Sequence, residues 1–566
     1  MTMTDRSEAG KVPAVPARPP GLSIPDGFQA RLSHSVASWS HDQVLIGGSP
    51  WRISRLVPAV TDIVQRMKRA GPAGIAVHGP RERAAVRAML DRGFAEPVAV
   101  GSAMDEVNQL TEFDVVIPVY QDGEALAAAL APIMQARSGA RADARSTPPS
   151  AGGVFVVDDG SPEALPIAQA ARSAGARLVR HPVNQGPGAA RNSGVAQGSA
   201  PLIAFVDADC VVGPDWPGSL LHHFDDLAVA AVAPRVLPLP GGRSLLERYE
   251  QVRSSLDMGS RAEVVRPGAR LGFVPSAALL VRRSVIESSG FDPSLRVGED
   301  VDLVWRVADA GWLVRYDPSV IVRHRSRTRP TQWLRRKVQY GSSAPALQAR
   351  HPGRLAPARI SLTSLSTLAL IALGRPLAAA IPVGVGYLAL ARQLSGVPQG
   401  PVLAARTLGL GLVADAQSIG RALRREWWPL GAVALAAAPR SRMARVATSC
   451  MLAPLVAEWA QLKPPIDPVR YLAMRLVDDA AYGTGVLAAS LGARSWGTLL
   501  PTVSMPKVPV PKVSVPGRKS VSAGPERIRR QPGLAPRPGS PSTYRQAWSW
   551  LGRHGLRPGR RSFLLR

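Results

Sequence analysis

Two runs in the middle of this chain are apolar at every position and stop at carboxylates. Val154-Phe155-Val156-Val157 runs into Asp158-Asp159, and Leu202-Ile203-Ala204-Phe205-Val206 runs into Asp207-Ala208-Asp209. A strand with one face in water alternates apolar and polar residues; unbroken short runs fit strands covered on both faces, as in a parallel sheet sandwiched by helices. Carboxylates at the C-terminal ends of such strands stand where an open α/β sheet forms its binding crevice.

The surrounding residues extend that pattern. Short runs rich in Val, Ile and Leu at 113–119, 153–157, 177–180, 202–206 and 228–233 alternate with helix-like stretches at 124–137 and 166–174. This alternation predicts βαβ units and a mainly parallel sheet over 113–350. Residues 138–152, with Arg, Ser and Pro, read as a surface insertion. Upstream, 27–100 reads as a small α+β domain with two short strands around 31–46 and helices near 58–69 and 82–93, joined by a linker at 101–112. Residues 1–26, rich in Pro and Ala, and the basic tail 501–566, with repeated Pro-Lys-Val, are expected to be disordered.

Between them, 358–500 is predicted to be an apolar helical region. Its runs 360–374 and 377–391, split by Arg375-Pro376, are each about 15 residues, short of the roughly 20 that a spanning helix requires. Together they suit a hairpin held at, or shallowly inserted into, a membrane. Buried helices of a C-terminal domain are the alternative. The tail's charge suits anionic lipid; a solvated tail is its alternative.

Bulk properties narrow the partners. A formal charge of +28 on 566 residues draws the chain to something anionic. No zinc-finger or helix-turn-helix spacing accompanies that charge, so no nucleic-acid partner is expected. Two cysteines, Cys210 and Cys450, allow neither a disulfide framework nor a thiolate metal cluster, which fits a reducing cytoplasm. No apolar segment of signal-peptide type follows the first charges. The expectation is a protein of the cell membrane with its catalytic domain on the cytoplasmic side.

The candidate site residues fall in a fixed order. Val115-Val116-Ile117-Pro118-Val119-Tyr120 is a first buried strand, and Glu124 opens the helix after it; Pro118, Tyr120 and Glu124 are placed to grip a nucleobase. Asp158-Asp159-Gly160-Ser161 is a turn in which a carboxylate can accept a hydrogen bond from a uracil or guanine ring nitrogen, or merely cap the turn. Asn184-Gln185-Gly186-Pro187-Gly188-Ala189-Ala190-Arg191 leads into a helix, where small residues, backbone amides and Arg191 favour phosphate oxygens. Asp207 and Asp209 can turn two carboxylates to one side, a set suited to Mg²⁺ or Mn²⁺ on a diphosphate. Glu299-Asp300 begins a further helical pattern; Asp300, with Glu299 beside it, suits a general base. His324, after Val320-Ile321-Val322-Arg323, is a third metal ligand or an ordinary packed histidine. The set reads as a nucleotide-diphosphate-sugar site.

In this order the motifs of 113–325 closely resemble the family 2 glycosyltransferases: the Asp-Asp-Gly-Ser turn, the Asn-x-Gly-x-x-x-x-Arg-Asn loop, the Asp-x-Asp element and the Glu-Asp pair. The resemblance implies a Rossmann-like domain of the GT-A type and an inverting single displacement. It puts Asp158 and Asp159 near the base, Asp209 on the metal and Asp300 on the acceptor hydroxyl. A clear Gln-x-x-Arg-Trp motif is lacking, since Gln332-Trp333 and Arg335-Arg336-Lys337 match it only loosely, and this argues against long-chain, pore-coupled polymerisation.

The flanks add to the likeness. Pro25-Asp26-Gly27-Phe28, Val44-Leu45-Ile46-Gly47-Gly48-Ser49-Pro50, Asp467-Pro468-Val469-Arg470-Tyr471 and Leu476-Val477-Asp478-Asp479-Ala480-Ala481-Tyr482-Gly483 are similar to segments of the mycofactocin-system glycosyltransferases of actinobacteria. That likeness implies transfer of glucose from UDP-glucose to a peptide-derived redox cofactor precursor, pre-mycofactocin, building a short β-1,4-glucan. A lipid or cell-envelope glycan is the alternative acceptor. The small N-terminal domain also resembles winged-helix-like domains that bind precursor peptides.

Overall fold

The computed structural model describes residues 14–99, 113–142, 152–213, 216, 218–505 and 512–513. The expected linker at 101–112 and most of the insertion at 138–152 lie outside the described residues, as do 1–13 and nearly all of the tail beyond 505. The chain divides into two compact units, the first made mainly of residues up to 242 and 253–326, the second mainly of 327–508 with 243–252.

The first unit opens with six short strands. β1 (Phe28–Leu32), β5 (Ile75–Val77) and β6 (Ala95–Pro97) form one antiparallel sheet, and β2 (Ala37–Trp39), β3 (Val44–Gly47) and β4 (Arg52–Leu56) lie in another. Helices Pro58–Ala70 and Gly79–Asp91 close a core around Val60, Val64, Met67, Val86 and Met89. The first helix starts on Pro58, carries Lys68 and Arg69 in its last turn and stops at Gly71, whose φ of 59° suits a residue without Cβ. Residues 14–26 depart from the expected disorder. Ile24 is buried, Arg18 pairs with Asp91 at 2.8 Å, and the Trp312 indole donates to the Pro16 carbonyl. Their prolines reflect an extended path with few backbone donors to satisfy, and the path is packed.

The rest of this unit is one 9-stranded sheet. Its main path runs β11 (Cys210–Val211), β15 (Leu313–His324), β12 (Val229–Pro238), β14 (Ala278–Arg282), β10 (Leu202–Val206), β7 (Phe113–Val119), β8 (Val154–Asp158), β9 (Arg177–Arg180), with β13 (Glu263–Val265) paired to β15. From β10 to β9 the strands are parallel, and every residue of β8 and β10 is buried. The other half is mixed: β14 runs antiparallel to both β10 and β12, and β11 antiparallel to β15. The mainly parallel sheet expected from the sequence is therefore half of the one present. Helices Gly123–Ala142, Ala164–Ser173 and Pro187–Val195 make the parallel crossovers.

The second unit is helical, with helices at Pro330–Ser342, Ala344–Arg350, Leu362–Ala372, Ala380–Gln393, Gly400–Arg424, Trp428–Ala437, Arg442–Leu462 and Pro468–Gly492. Its polarity is inverted in places. Helix Leu362–Ala372 buries Thr363, Ser364 and Thr367 and exposes Leu362 and Leu365. Among the described residues no helix is long and apolar enough to cross a membrane.

Candidate active site

The cleft lies at the C-terminal ends of β7, β8 and β10. Asp158 ends β8 and is fully buried; its carboxylate accepts from the Ser161 amide at 3.0 Å and pairs with Arg180. Asp159 is buried too, and accepts from the amides of Gln185 (2.9 Å) and Gly186 (2.7 Å) and meets His181 Nδ1 at 2.8 Å. Both carboxylates are thus committed to the chain, which is the turn-capping arrangement that the sequence left open. They hold the Asn184–Gly186 loop against the turn of Gly160, whose φ is 71° and where a Cβ would lie 2.4 Å from the Val183 carbonyl carbon. Arg180, His181 and Arg296, which pairs with the Asn184 side chain, complete this wall. None of the three stands out in sequence, because the contacts depend on the β8–β9 pairing and on a loop more than a hundred residues away.

Across from that wall, Tyr120 is exposed and Glu124 more so, with Arg325 Nη1 3.6 Å from the Glu124 carboxylate. Pro118, on β7 beneath them, is half-buried. Gln121 takes a φ of 64°, and its amide donates to the Ser161 hydroxyl at 2.9 Å, which ties the first turn to the second.

Expected to reach phosphate, Arg191 is only 3% exposed, and its guanidinium forks between the Asp207 carboxylate at 2.7 Å and the Glu299 carboxylate at 2.9 Å. The reason is the helix it sits on: six of the nine residues of Pro187–Val195 are buried, Arg191 among them together with Gly188, Ala189 and Ala190. A buried guanidinium without an anion would be prohibitive, and two carboxylates from distant segments meet it.

Asp207 and Asp209 are each about a third exposed at the side chain. Asp209 meets His324 Nε2 at 3.1 Å, and the backbone pairing explains why: Cys210 of β11 lies opposite His324 of β15, and the Arg325 amide donates to the Asp209 carbonyl. Asp209 and His324 thus bring an oxygen and an imidazole donor together, with Asp207 held on Arg191, and donors of these types suit a small divalent cation that shares its coordination with a diphosphate.

Glu299 and Asp300 begin helix Glu299–Asp309 behind Gly298, whose φ is 85°. Burial, then the neighbouring Asp300 charge, pushes the Glu299 carboxyl up to about 7, against the pull of Arg191. Burial also raises Asp300, opposed first by the Arg191 guanidinium and then by the amides of Val301 and Ser276. Of the two, Glu299 is locked onto Arg191, while Asp300 keeps partial exposure. Asp300 instead accepts from the backbone amides of Val301 at 2.8 Å and Ser276 at 3.4 Å.

Residues 114–289 match the profile of glycosyl transferase family 2, and 202–414 match glycosyl transferase family group 2. The pre-mycofactocin glycosyltransferase of Mycobacterium tuberculosis (strain CDC 1551 / Oshkosh) is 34% identical over 499 residues, covering 85% of this chain and 98% of that protein. The succinoglycan biosynthesis protein ExoU of Rhizobium meliloti (strain 1021) is 34% identical over 181 residues, 29% of this chain and 50% of that protein. Among solved structures, mannosyltransferase PcManGT from Pyrobaculum calidifontis, in complex with GDP-Man and Mn²⁺, aligns over 68% of this chain and 88% of its own at 18% identity, with a TM-score of 0.37.

Arg191→Ala should lower the unfolding free energy by roughly 3–5 kcal/mol, since it leaves the buried Glu299 carboxylate and the part-buried Asp207 carboxylate without their cation. Arg191→Lys should recover only part of that, because an ammonium cannot fork to both. Denaturant midpoints measure it; an Arg191→Ala chain as stable as the parent would show that the bridge holds nothing.

Proposed function

Because this chain belongs to glycosyl transferase family 2, we propose that it moves glucose from UDP-glucose onto pre-mycofactocin, building a short β-1,4-glucan. That it is a glycosyltransferase follows from the family; donor and acceptor are our reading, supported by the relative that spans 85% of the chain. The observation that carries the site assignment is the Arg191 fork, which ties the Asp207 strand end to the Glu299-Asp300 helix.

In this reading the nucleoside lies against Pro118, Tyr120 and Glu124, over the wall that Asp158, Asp159, Asn184 and Gly186 build. The diphosphate lies toward Asp207, Asp209 and His324. A divalent cation held there supplies positive charge where the departing diphosphate gathers negative charge. Asp300 accepts the proton of an acceptor hydroxyl as its oxygen bonds to the anomeric carbon and the bond to the diphosphate breaks, so configuration inverts and UDP leaves. Glu299 and Arg191 position Asp300 and set its charge state.

The pH dependence has a definite sign. A carboxyl with a raised pKa is protonated, and useless as a base, until pH passes the raised value, so the rate should climb with pH through it. The acid limb of kcat/KM should therefore lie above the ordinary aspartate range, and Glu299→Gln, by removing a neighbouring negative charge, should move it to lower pH. Asp300→Asn should lower kcat by about 100-fold or more while nucleotide binding persists. An unchanged limb in Glu299→Gln, or equal loss of binding and turnover in Asp300→Asn, would refute these roles.

A lipid or cell-envelope glycan acceptor is the second reading, favoured by the outward apolar face of the helical unit. Leu377 is 91% exposed, Ile381 68% and Val385 63%, and each such side chain left in water forgoes roughly 1.5–3 kcal/mol. We therefore keep the second unit at a membrane surface, with 377–388 in the interface and the catalytic domain on the cytoplasmic side. Incubating the protein with UDP-glucose and either acceptor, with UDP release and product mass as readouts, separates the readings: hexose increments should appear on the peptide-derived precursor, and increments on the lipid alone would favour the second. The full chain should also float with vesicles containing anionic lipid, and Leu377→Glu with Ile381→Glu should release it. A parent protein that stays with the unbound fraction would remove the membrane from this account.

A further inference from the structure

Away from the cleft, the first unit holds a group of imidazole and carboxylate side chains that the transfer reaction does not use. His222 and His223 lie on a 3-10 helix, Gly218–Asp225, and Asp317 lies on β15. One potential ligand atom from each stands within 4.8 Å of those of the other two. We propose that His222, His223 and Asp317 bind a borderline divalent transition cation of the Zn²⁺ class, separate from the cation of the nucleotide cleft.

The supporting groups are arranged as they are around bound metals. His222 Nδ1 stands 3.1 Å from the Ser219 carbonyl, so its N–H donates there and Nε2 keeps its lone pair. The Asp317 carboxylate is oriented by Ser319, whose amide and hydroxyl donate to Oδ1 at 2.9 and 2.6 Å, leaving Oδ2 to face His223 Nε2 at 2.8 Å. Such outer contacts fix the tautomer and aim of metal ligands. His223 is 6% exposed, and its Nδ1 is buried with no hydrogen-bond partner among the described residues. An isolated His–Asp pair would leave that atom's cost unexplained. The two rings lie 4.1 Å apart at their centroids. Arg315, the nearest strand cation, is turned toward Asp226, with Nη2 4.0 Å from its carboxylate.

The donor set selects the metal class. Two imidazoles and one carboxylate suit Zn²⁺ and its neighbours better than Mg²⁺ or Ca²⁺, and three protein ligands leave a fourth position for water. Ligand atoms of a closed tetrahedral site stand roughly 3.4 Å apart, between the 2.8 Å of the His223–Asp317 contact and the 4.8 Å that bounds the group, so side-chain adjustments suffice. Half-buried His222 and Asp317 have room to adjust, and they give an ion entry from solvent.

The position gives the site a consequence. Asp317 pairs with Pro234 and His324 with Pro238 on β12, and β15 bulges between these rungs. The two cation positions are therefore about 13 Å apart along the sheet at ~3.3 Å per residue. A cation clamping the 3-10 helix to Asp317 would stiffen the bulge that sets the register of His324.

The full chain, stripped with chelator and titrated with ZnCl₂ or CoCl₂, tests this. The parent and Asp209→Asn should both show the visible bands of tetrahedral Co²⁺ and a raised melting temperature, whatever further ion the cleft of the parent takes up. His222→Gln and Asp317→Asn should bind at least about tenfold more weakly. No Co²⁺ band in the parent, or loss of the band in Asp209→Asn with His222→Gln unchanged, would overturn the proposal, the second outcome because the ion then belongs to the cleft. The test does not depend on the donor or acceptor, so it can fail while the transferase reading stands.

Discussion

One buried guanidinium organises the cleft. Burial works against the charge of Arg191, and the carboxylates of Asp207 and Glu299, with Asp300 beyond them, more than restore it. The pairs are close, at 2.7 and 2.9 Å, in surroundings where water screens little. The geometric effect matters as much as the energy. Asp207 follows a central strand and Glu299 opens a helix 92 positions later in the chain, so the strand end that would carry the diphosphate and the helix that carries the base cannot drift apart without uncovering this charge.

That bridge also marks where sequence reading stopped. Strand positions at 113–119 and 202–206 were legible to the residue, because strands buried on both faces read as near-continuous apolar runs, broken in the first only by the buried Asp114 that pairs with Arg283. The carboxylates were legible as a set, since three acidic groups at strand or helix ends have few structural reasons to recur in that order. What each contacts was not. Asp158 and Asp159 satisfy loop amides, and Arg191 turns to protein carboxylates, because a chain fills its own buried hydrogen-bond sites before a ligand arrives. The Asp209–His324 contact depends on a two-residue strand, β11, far too short for any periodicity to reveal.

The helical unit illustrates a different limit. Its apolar runs were plain, but their direction was not, because composition does not say which face a helix buries. Inside, the polar groups pair: Lys337 meets Asp478 at 3.0 Å, Tyr249 donates to Asp478 at 2.7 Å, and Arg424 donates to Asp479 at 2.8 Å. Close backbone approach makes these contacts possible. A Cβ at Gly485 would lie 2.0 Å from the Val338 carbonyl oxygen, and one at Gly483 1.8 Å from that of Arg425. Small residues at these helix contacts let the backbones close in around the polar pairs, while Leu377, Ile381 and Val385 face outward.

The carboxylate pair at the start of helix Glu299–Asp309 carries the remaining argument. Amides at a helix start normally stabilise a carboxylate, yet both groups here move the other way, because loss of solvent outweighs the amides. Two acids this close lose their protons as a pair, with values that belong to neither residue alone. While Glu299 carries a proton, Arg191 is answered by Asp207 alone, and its excess charge favours ionised Asp300. When Glu299 ionises, that help is spent. The locked member of the pair therefore acts as a charge reserve for the accessible one, and a base raised above the ordinary aspartate range is better matched to taking a proton from a sugar hydroxyl and returning it to water.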